Sequence, residues 1–412
     1  LTTSARTFLF LQGACSPFHR RLARRLTEGG HRVVKVHYAA GDIAFWQRKL
    51  GPSHLFRDRL ERLPEFIAEL WQRYDVTDQL VFGDRRPVHR AAVEMAPARG
   101  IRTHVIEEGY FRPHWITLER EGVNGHSLLP RNADWYRYTA AKLPPPLPPV
   151  RFRSPFRTRA TQDVLYHLAG LGNPVLFPHY RNHAPVTAPV EYAGYIKRLT
   201  QLRWWKPRDR KRIIDLARSR RPYFVLPLQL NSDAQIRDHS PFSNMREVIE
   251  LTLRSFAAHA PGNAILCVKN HPLDMGLISY KRLLSRLAKH LDIEDRLVYL
   301  ESGDLNILLK RAAGTVTVNS TTGIVSLEHS CPTLALSDPI YRLQGLTHHG
   351  GLDDFWSAPT APDPSLFQAF RRTLMHTVQF NGGLYCRPGV LLAVDNVARQ
   401  LGAERSALEL LL

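Results

Sequence analysis

Short apolar runs of four to seven residues recur along this chain, each closed by a glycine or a polar group and followed by a helical pattern. Such a pattern predicts parallel strands joined by crossover helices, because parallel neighbours need a long connection and both sheet faces must be covered. In the first third the expected strands are Phe8–Leu11, Arg32–Tyr38, Gln79–Phe82 and Ile101–Ile106. Helices are expected between Ser16–Pro17 and Gly29–Gly30, from Leu55 to Tyr74, and near His89 to Ala98. A second series is expected at Tyr223–Leu226, Ala264–Val268, Leu297–Leu300, Gly314–Val318 and Thr333–Leu336, with helices centred near 250, 284, 308 and 326. Between the two series KLPPPLPPV (Lys142 to Val150) can continue neither element. The expected division is a Rossmann-like domain over 1–150, a helical connector over 151–221 and a second Rossmann-like domain over 222–380. A C-terminal helix within 381–412 is expected to brace the first domain. The fold class is therefore α/β, and two such halves predict a ligand cleft at the carboxyl ends of the strands.

A net charge of +19, from 56 basic against 37 acidic side chains, attracts polyanions: nucleic acid, anionic lipid or nucleotide sugars. The basic residues are scattered and no nucleic-acid motif is present, so an anionic membrane surface is favoured over nucleic acid. Apolar runs such as Tyr223–Leu228 are far shorter than a membrane span, and the first ten residues hold no apolar stretch with a cleavage site. A cytoplasmic protein is expected. The cysteines at 15, 267, 331 and 386 have neither paired nor C-x-x-C spacing and are expected to be packing residues.

The strand ends carry polar groups that secondary structure alone does not require. In QGACSPF, Gln12, Gly13 and Ser16 form a turn into a helix whose N-terminus can receive an anion. The chain has no G-x-G-x-x-G before a helix and no G-K-[ST], which argues against a nicotinamide enzyme and a P-loop nucleotidase. EEGYFRPHWITLE begins with adjacent carboxylates, Glu107 and Glu108, followed by Arg112; a strand cap and turn is the simplest account of such a pair. PLQLNSD supplies Gln229 and Asp233, the latter equally at home in a helix cap or an Asx-turn. KNHP supplies Lys269 and His271, and NSTTG supplies Ser320, Thr321, Thr322 and Gly323 at a strand-to-helix junction where a phosphate or an ordinary N-cap would fit. All fall at strand ends expected to face one cleft.

These stretches, together with FGDRRPVH (Phe82 to His89) and GVNG (Gly122 to Gly125), resemble the bacterial capsule polysaccharide biosynthesis proteins of the KpsS/LipB type. That group is similar to the KpsC-type retaining β-Kdo glycosyltransferases. The resemblance runs from about Phe8 to about His348, with Ala14 standing where proline is expected. It implies a GT-B-like pair of Rossmann domains, the N-terminal one on the acceptor side and the C-terminal one binding a CMP-sugar. The implied reaction moves the acid sugar Kdo from CMP-β-Kdo to a phosphatidylglycerol-type lipid or a Kdo-primed glycolipid, in synthesis of the capsule linker. In that scheme of double displacement Asp233 is the nucleophile, Glu107 the base, and Glu108 a neighbour that tunes it. Lys269 and His271 neutralise the donor phosphate, Ser320, Thr321 and Thr322 donate to it, and Arg112 pairs with either the sugar carboxylate or a glutamate. No Asp-x-Asp closes a strand, so neither a divalent cation nor any cofactor besides the donor is expected. The implied location is the inner face of the inner membrane, beside other capsule-assembly proteins. Two alternatives stay open: a non-catalytic lipid-glycan-binding component of capsule assembly or export, and a GT-B-like sugar-nucleotide epimerase.

Overall fold

β1 (Thr7–Phe10), β2 (Arg32–His37), β3 (Ser53–Leu55), β4 (Asp78–Phe82) and β5 (Arg102–Glu108) run parallel, and β6 (Trp115–Arg120) and β12 (Gln379–Asn381) extend the sheet antiparallel. Their order is β12-β6-β5-β4-β1-β2-β3. The computed structural model describes residues 5–181, 188–231, 236 and 238–412. They divide into two units, the first comprising Leu1–Leu129, Thr139–His183 and Arg371–Leu412. Alternation along the strands sends Phe8, Phe10, Leu80 and Ile106 to one face, under helices Phe18–Glu28 and Arg387–Gly402. Leu9, Val81 and Val105 go to the other, under helices Leu63–Tyr74 and Pro87–Met95.

The second unit, Pro130–Tyr138 with Ala184–Phe370, holds a fully parallel sheet. Its strands are β7 (Tyr223–Pro227), β8 (Ile265–Lys269), β9 (Leu297–Leu300), β10 (Gly314–Thr317) and β11 (Thr333–Ala335), in the order β11-β10-β7-β8-β9. Helices Met245–His259 and Tyr280–His290 cover one face. Ile213 and Leu216, from the long helix Ala188–Arg218, help to cover the other. In each unit the strand order reverses once, between β1 and β4 and between β7 and β10, which makes both sheets Rossmann-like.

Several elements differ from the sequence expectation. β5 does not stop at Ile106 but runs on through Glu107 and Glu108. Trp115–Arg120 is a strand, its buried Ile116 and Leu118 alternating with polar neighbours beside β5. The helix expected from Leu55 begins at Leu63, with Pro64 in its first turn, while Ser53–Leu55 pairs with β2. The stretch 151–221 is not one connector: helix Phe156–Ala169 belongs to the first unit and Ala188–Arg218 to the second. The first unit resumes at Arg371, so that β12 as well as the C-terminal helix joins it.

A buried ion cluster ties the beginning of the first unit to its end. Arg6 Nε donates to Asp78 Oδ2 at 2.8 Å, a second guanidinium nitrogen contacts Asp78 Oδ1, and His104 Nε2 lies 2.7 Å from that oxygen. Arg6 also donates to the carbonyls of Leu401 (2.7 Å) and Ala403 (3.0 Å). Burial alone would raise the Asp78 pKa; the hydrogen bonds from His104 and Arg6 overcome that and hold it far below the ordinary value. Because the folded-state pKa is depressed, the stabilisation is present above the unfolded value of 3.8 and is lost as pH falls below it. Asp78→Asn should therefore lower unfolding stability by about 3–5 kcal/mol at pH 7, measured by urea titration, and flatten the loss of stability between neutral and acid pH.

Candidate active site

In the first unit the turns after β1 and β4, Gln12–Gly13 and Gly83–Asp84, flank the point where strand order reverses. Gln12 is buried; its Nε2 donates to Tyr166 Oη at 3.1 Å, and Arg86 Nη1 lies 3.4 Å from both Gln12 Oε1 and the Gly13 carbonyl. Gly13 leaves no space for a side chain, since a Cβ there would strike the His19 ring. The Ser16 hydroxyl accepts the Phe18 N–H at 3.3 Å, so it serves the helix start. Tyr166 Oη donates in turn to Asp42 Oδ1 at 3.0 Å, while Asp42 Oδ2 accepts the N–H groups of Tyr38 (2.8 Å) and Ala39 (3.1 Å). Below this network Lys35 Nζ donates to the Leu11 carbonyl at 2.6 Å. Burial pushes the Lys35 ammonium down to about 8, with Asp42 partly offsetting it.

Glu107 and Glu108 close β5 as consecutive residues and so lie on opposite faces of the sheet. Glu108 Oε1 accepts from Arg159 Nη1 at 2.7 Å, and its Oε2 lies 3.1 Å from Arg112 Nη1. Arg159 also stacks over the Tyr385 ring at 4.8 Å. The setting of Glu108 is thus a pair of guanidinium groups, and of the two partners open to Arg112 the glutamate is the one it meets here. Glu107 lies on the other face beside Gly83, where a Cβ in place of the glycine hydrogen would sit 3.2 Å from Glu107 Oε1. The remainder of the block holds the hairpin together. Tyr110 Oη donates to Glu119 Oε1 at 2.6 Å and accepts the Asn124 N–H at 3.1 Å, and Gln379 Oε1 accepts the Tyr110 N–H at 2.9 Å.

In the second unit Gln229 and Asn319 follow β7 and β10 and bond reciprocally: Gln229 Nε2 donates to Asn319 Oδ1 at 3.0 Å, and Asn319 N–H meets Gln229 Oε1 at 3.4 Å. Ser320 Oγ accepts the Thr322 N–H at 3.1 Å and lies 3.2 Å from the Thr322 hydroxyl, at the start of helix Thr322–Glu328; Thr321 is half-buried. Gly323 faces the Tyr341 ring, which a Cβ would strike, and Tyr341 Oη donates to the Ser320 carbonyl at 2.7 Å. Lys269 is buried at the end of β8, which lowers its pKa, and its Nζ lies 3.4 Å from the Asn270 carbonyl. His271 Nδ1 accepts the Leu273 N–H at 3.1 Å, which leaves Nε2 as the protonated nitrogen of the neutral ring. Asp233 lies outside the described residues.

Sequence reasoning missed several supporting groups. Arg198, buried in helix Ala188–Arg218, reaches Asp274 at 3.1 Å, Glu301 at 3.4 Å and the His271 carbonyl at 3.2 Å, and so fixes the loop that carries Lys269 and His271. Arg159, Gln162 and Tyr166 share one face of helix Phe156–Ala169. Their spacing of three and four residues was the available signal, and a polar inward face concealed it.

Two sheets of Rossmann-like order, with polar side chains at the carboxyl ends of their strands, define an α/β protein of the doubly wound class. The family described as capsule polysaccharide biosynthesis protein matches residues 77–385. The chain is 34% identical over 396 residues to the capsule polysaccharide modification protein LipB of Neisseria meningitidis serogroup B, covering 93% of each. It is 34% identical over 387 residues to the capsule polysaccharide export protein KpsS of Escherichia coli, covering 93% of this chain and 97% of that one. The chain belongs to the capsule polysaccharide biosynthesis protein family. Among solved structures, Thermosulfurimonas dismutans KpsC, described as a beta Kdo 2,7 transferase, aligns over 96% of this chain and 99% of its own at 15% identity and a TM-score of 0.45.

Two outcomes follow from the packing around the strand ends. Gly109 N–H bonds the Trp115 carbonyl at 3.0 Å, and a Cβ on Gly109 would collide with that carbonyl. Gly109→Ala should therefore force β5 and β6 apart and cost about 1–3 kcal/mol, seen as a lowered midpoint in thermal unfolding. For Lys35 the folded pKa of about 8 lies below the unfolded 10.5, so stability rises as pH climbs through that interval. Lys35→Met should abolish this rise, measured by denaturant titration from pH 7 to pH 11, and leave the protein at least as stable at pH 7.

Proposed function

We propose that this protein is a retaining β-Kdo glycosyltransferase that moves Kdo from CMP-β-Kdo to a phosphatidylglycerol-type lipid or a Kdo-primed glycolipid, in building the linker of a capsular polysaccharide. Membership of the capsule family supports the biological setting, and the motif blocks that resemble the Kdo transferases support the chemistry. The observation that carries most weight is the placing of the two acids that end β5 on opposite faces of the sheet: Glu108 meets Arg159 and Arg112, and Glu107 lies beside Gly83 at the end of β4. Adjacent carboxylates held on opposite faces of one sheet are suited to different tasks, one structural and one acid–base.

In this scheme the Asp233 carboxylate attacks the anomeric carbon of Kdo, and the bond to the phosphate oxygen breaks with release of CMP. Glu107 then takes the proton of the acceptor hydroxyl, whose oxygen displaces Asp233 and restores the original configuration. Lys269 neutralises the phosphate of the donor and His271 donates to it through Nε2, while the hydroxyls of Ser320, Thr321 and Thr322 line the strand-to-helix turn after β10. The leaving group carries a single phosphate, and the scheme requires no divalent cation or further cofactor.

The test is stepwise. CMP-Kdo generated in place should be consumed in step with transfer when a lipid acceptor is supplied. Glu107→Gln should release about one CMP per protein and accumulate an adduct of one Kdo, visible by intact-protein mass spectrometry and mapped to Asp233; the double variant Glu107→Gln, Asp233→Ala should form none. A non-catalytic glycan-binding component would release no CMP under any of these conditions. An adduct on Glu107 or Glu108 in the unaltered protein, or β-linked product without any adduct, would overturn the assignment of roles.

A further inference from the structure

Helix Phe156–Ala169 reverses the usual amphipathic arrangement. Its inward face is polar: Arg159 bonds Glu108 at 2.7 Å, Gln162 Nε2 donates to the Tyr385 carbonyl at 3.0 Å, and Tyr166 bonds Asp42 at 3.0 Å. Its outward face is mostly apolar, interrupted by Arg157 and Thr161. Phe156 is 61% exposed and Leu168 56%, with Val164 and Leu165 exposed between them. The stripe continues into the next turns with Leu171 at 78% and Val175 at 76%. No residue of the helix is buried, so its apolar side chains contribute little to the core of the unit.

The charge around this stripe is one-sided. Residues 151–181 contain five arginines against one acid, Asp163, which lies 3.8 Å from His167. Arg151, Arg153 and Arg157 are exposed at one end of the stripe and Arg181 at the other. An apolar face bordered by arginines matches a surface that is hydrocarbon beneath and anionic above. Among the described residues no helix is long and apolar enough to cross a membrane.

We infer that the stripe from Phe156 to Val175 seats the protein on an anionic bilayer and holds the strand-end groups of the first unit at the depth of the lipid headgroups. A helix with its side chains is about 10–12 Å across, and an interfacial helix sinks about 5–10 Å into the headgroup and acyl boundary. The face opposite the stripe, where Arg159 meets Glu108 and Tyr166 meets Asp42, then stands where a headgroup hydroxyl lies. An acceptor lipid is offered to the end of β5 without leaving the membrane. The inference rests on the lipid-acceptor part of the proposed function and adds the surface that would present such a lipid.

The experiment uses the full chain, vesicles of phosphatidylglycerol with phosphatidylcholine, and vesicles of phosphatidylcholine alone. Unaltered protein should sediment with the anionic vesicles and keep a fraction of that binding at high salt, because the apolar contribution is not screened. The double variant Leu168→Ser, Leu171→Ser should bind about tenfold more weakly and lose the salt-resistant fraction, with circular dichroism unchanged because both side chains are exposed. Transfer to an acceptor embedded in vesicles should fall with binding, whereas transfer to a detergent-dispersed acceptor should not. Equal vesicle binding by both proteins would overturn the inference. So would a change from dimer to monomer in light scattering with lipid binding intact, since a second copy would then be the occupant. Vesicle binding needs no CMP-Kdo: leucine-dependent binding without any transfer would sink the catalytic proposal and support the seating surface, while transfer without leucine dependence would do the reverse.

Discussion

Side chains alternate across a strand, and at the end of β5 this constraint governs everything around it. Val105 and Glu107 take one face, Ile106 and Glu108 the other. Because Val105 and Ile106 are locked into separate cores, a register slip would exchange both apolar residues and both acids at once. The parallel pairing of Phe82 with Ile106 and the antiparallel pairing of Glu108 with Ile116 fix that register from both sides. The separation of the two carboxylates is thus a product of core packing: neither acid can be repositioned without unpacking a face of the sheet.

Much of this was legible in the sequence, for a physical reason. A strand buried on both faces is a nearly continuous apolar run, so β1, β7 and β8 stood out within a residue or two. Where one side of an element is polar, the signal faded. β6 alternates Ile116 and Leu118 with polar neighbours inside a block dominated by charged and aromatic residues, and Phe156–Ala169 has its polar groups inward, which reads as a solvated connector. The strand-end groups were recognisable as residue types, but their partners were not. Gln12 and Tyr166 are separated by 154 positions and Glu108 and Arg159 by 51, and no local pattern encodes such pairs. Several residues that stood out for their chemistry also carry local structure: Ser16 and Ser320 accept N–H groups at helix starts, and Gly13 and Gly323 make room for His19 and Tyr341.

The second unit shows how buried charge organises a loop. Asp209 accepts the N–H groups of Glu301 and Ser302 at 2.9 and 3.0 Å, and Arg198, about three turns earlier on the same long helix, grips Glu301 and Asp274. Isolated in a core, either charge would be costly; joined to backbone and to each other's partners, they hold the strand-end loops to the helix. Asn270 bridges Asp274 and Glu301 at 3.0 Å each, so the Lys269–His271 segment is anchored at its central residue.

Arg6 binds Asp78 within the sheet and the carbonyls of Leu401 and Ala403 at the far end of the chain. During synthesis the ribosome releases residues in order, so the first unit, although it is begun first, lacks β12 and its C-terminal helix until after the whole of the second unit has emerged. The second unit has its sheet complete by Phe370 and can fold while its neighbour is still waiting. Until then the Arg6–Asp78 pair and the apolar face formed by Phe8, Phe10 and Leu80 stay uncovered on the C-terminal side. This chain therefore completes its units in the reverse of the order in which they are begun, and a truncation near the C-terminus removes a wall of the domain that was started at the N-terminus.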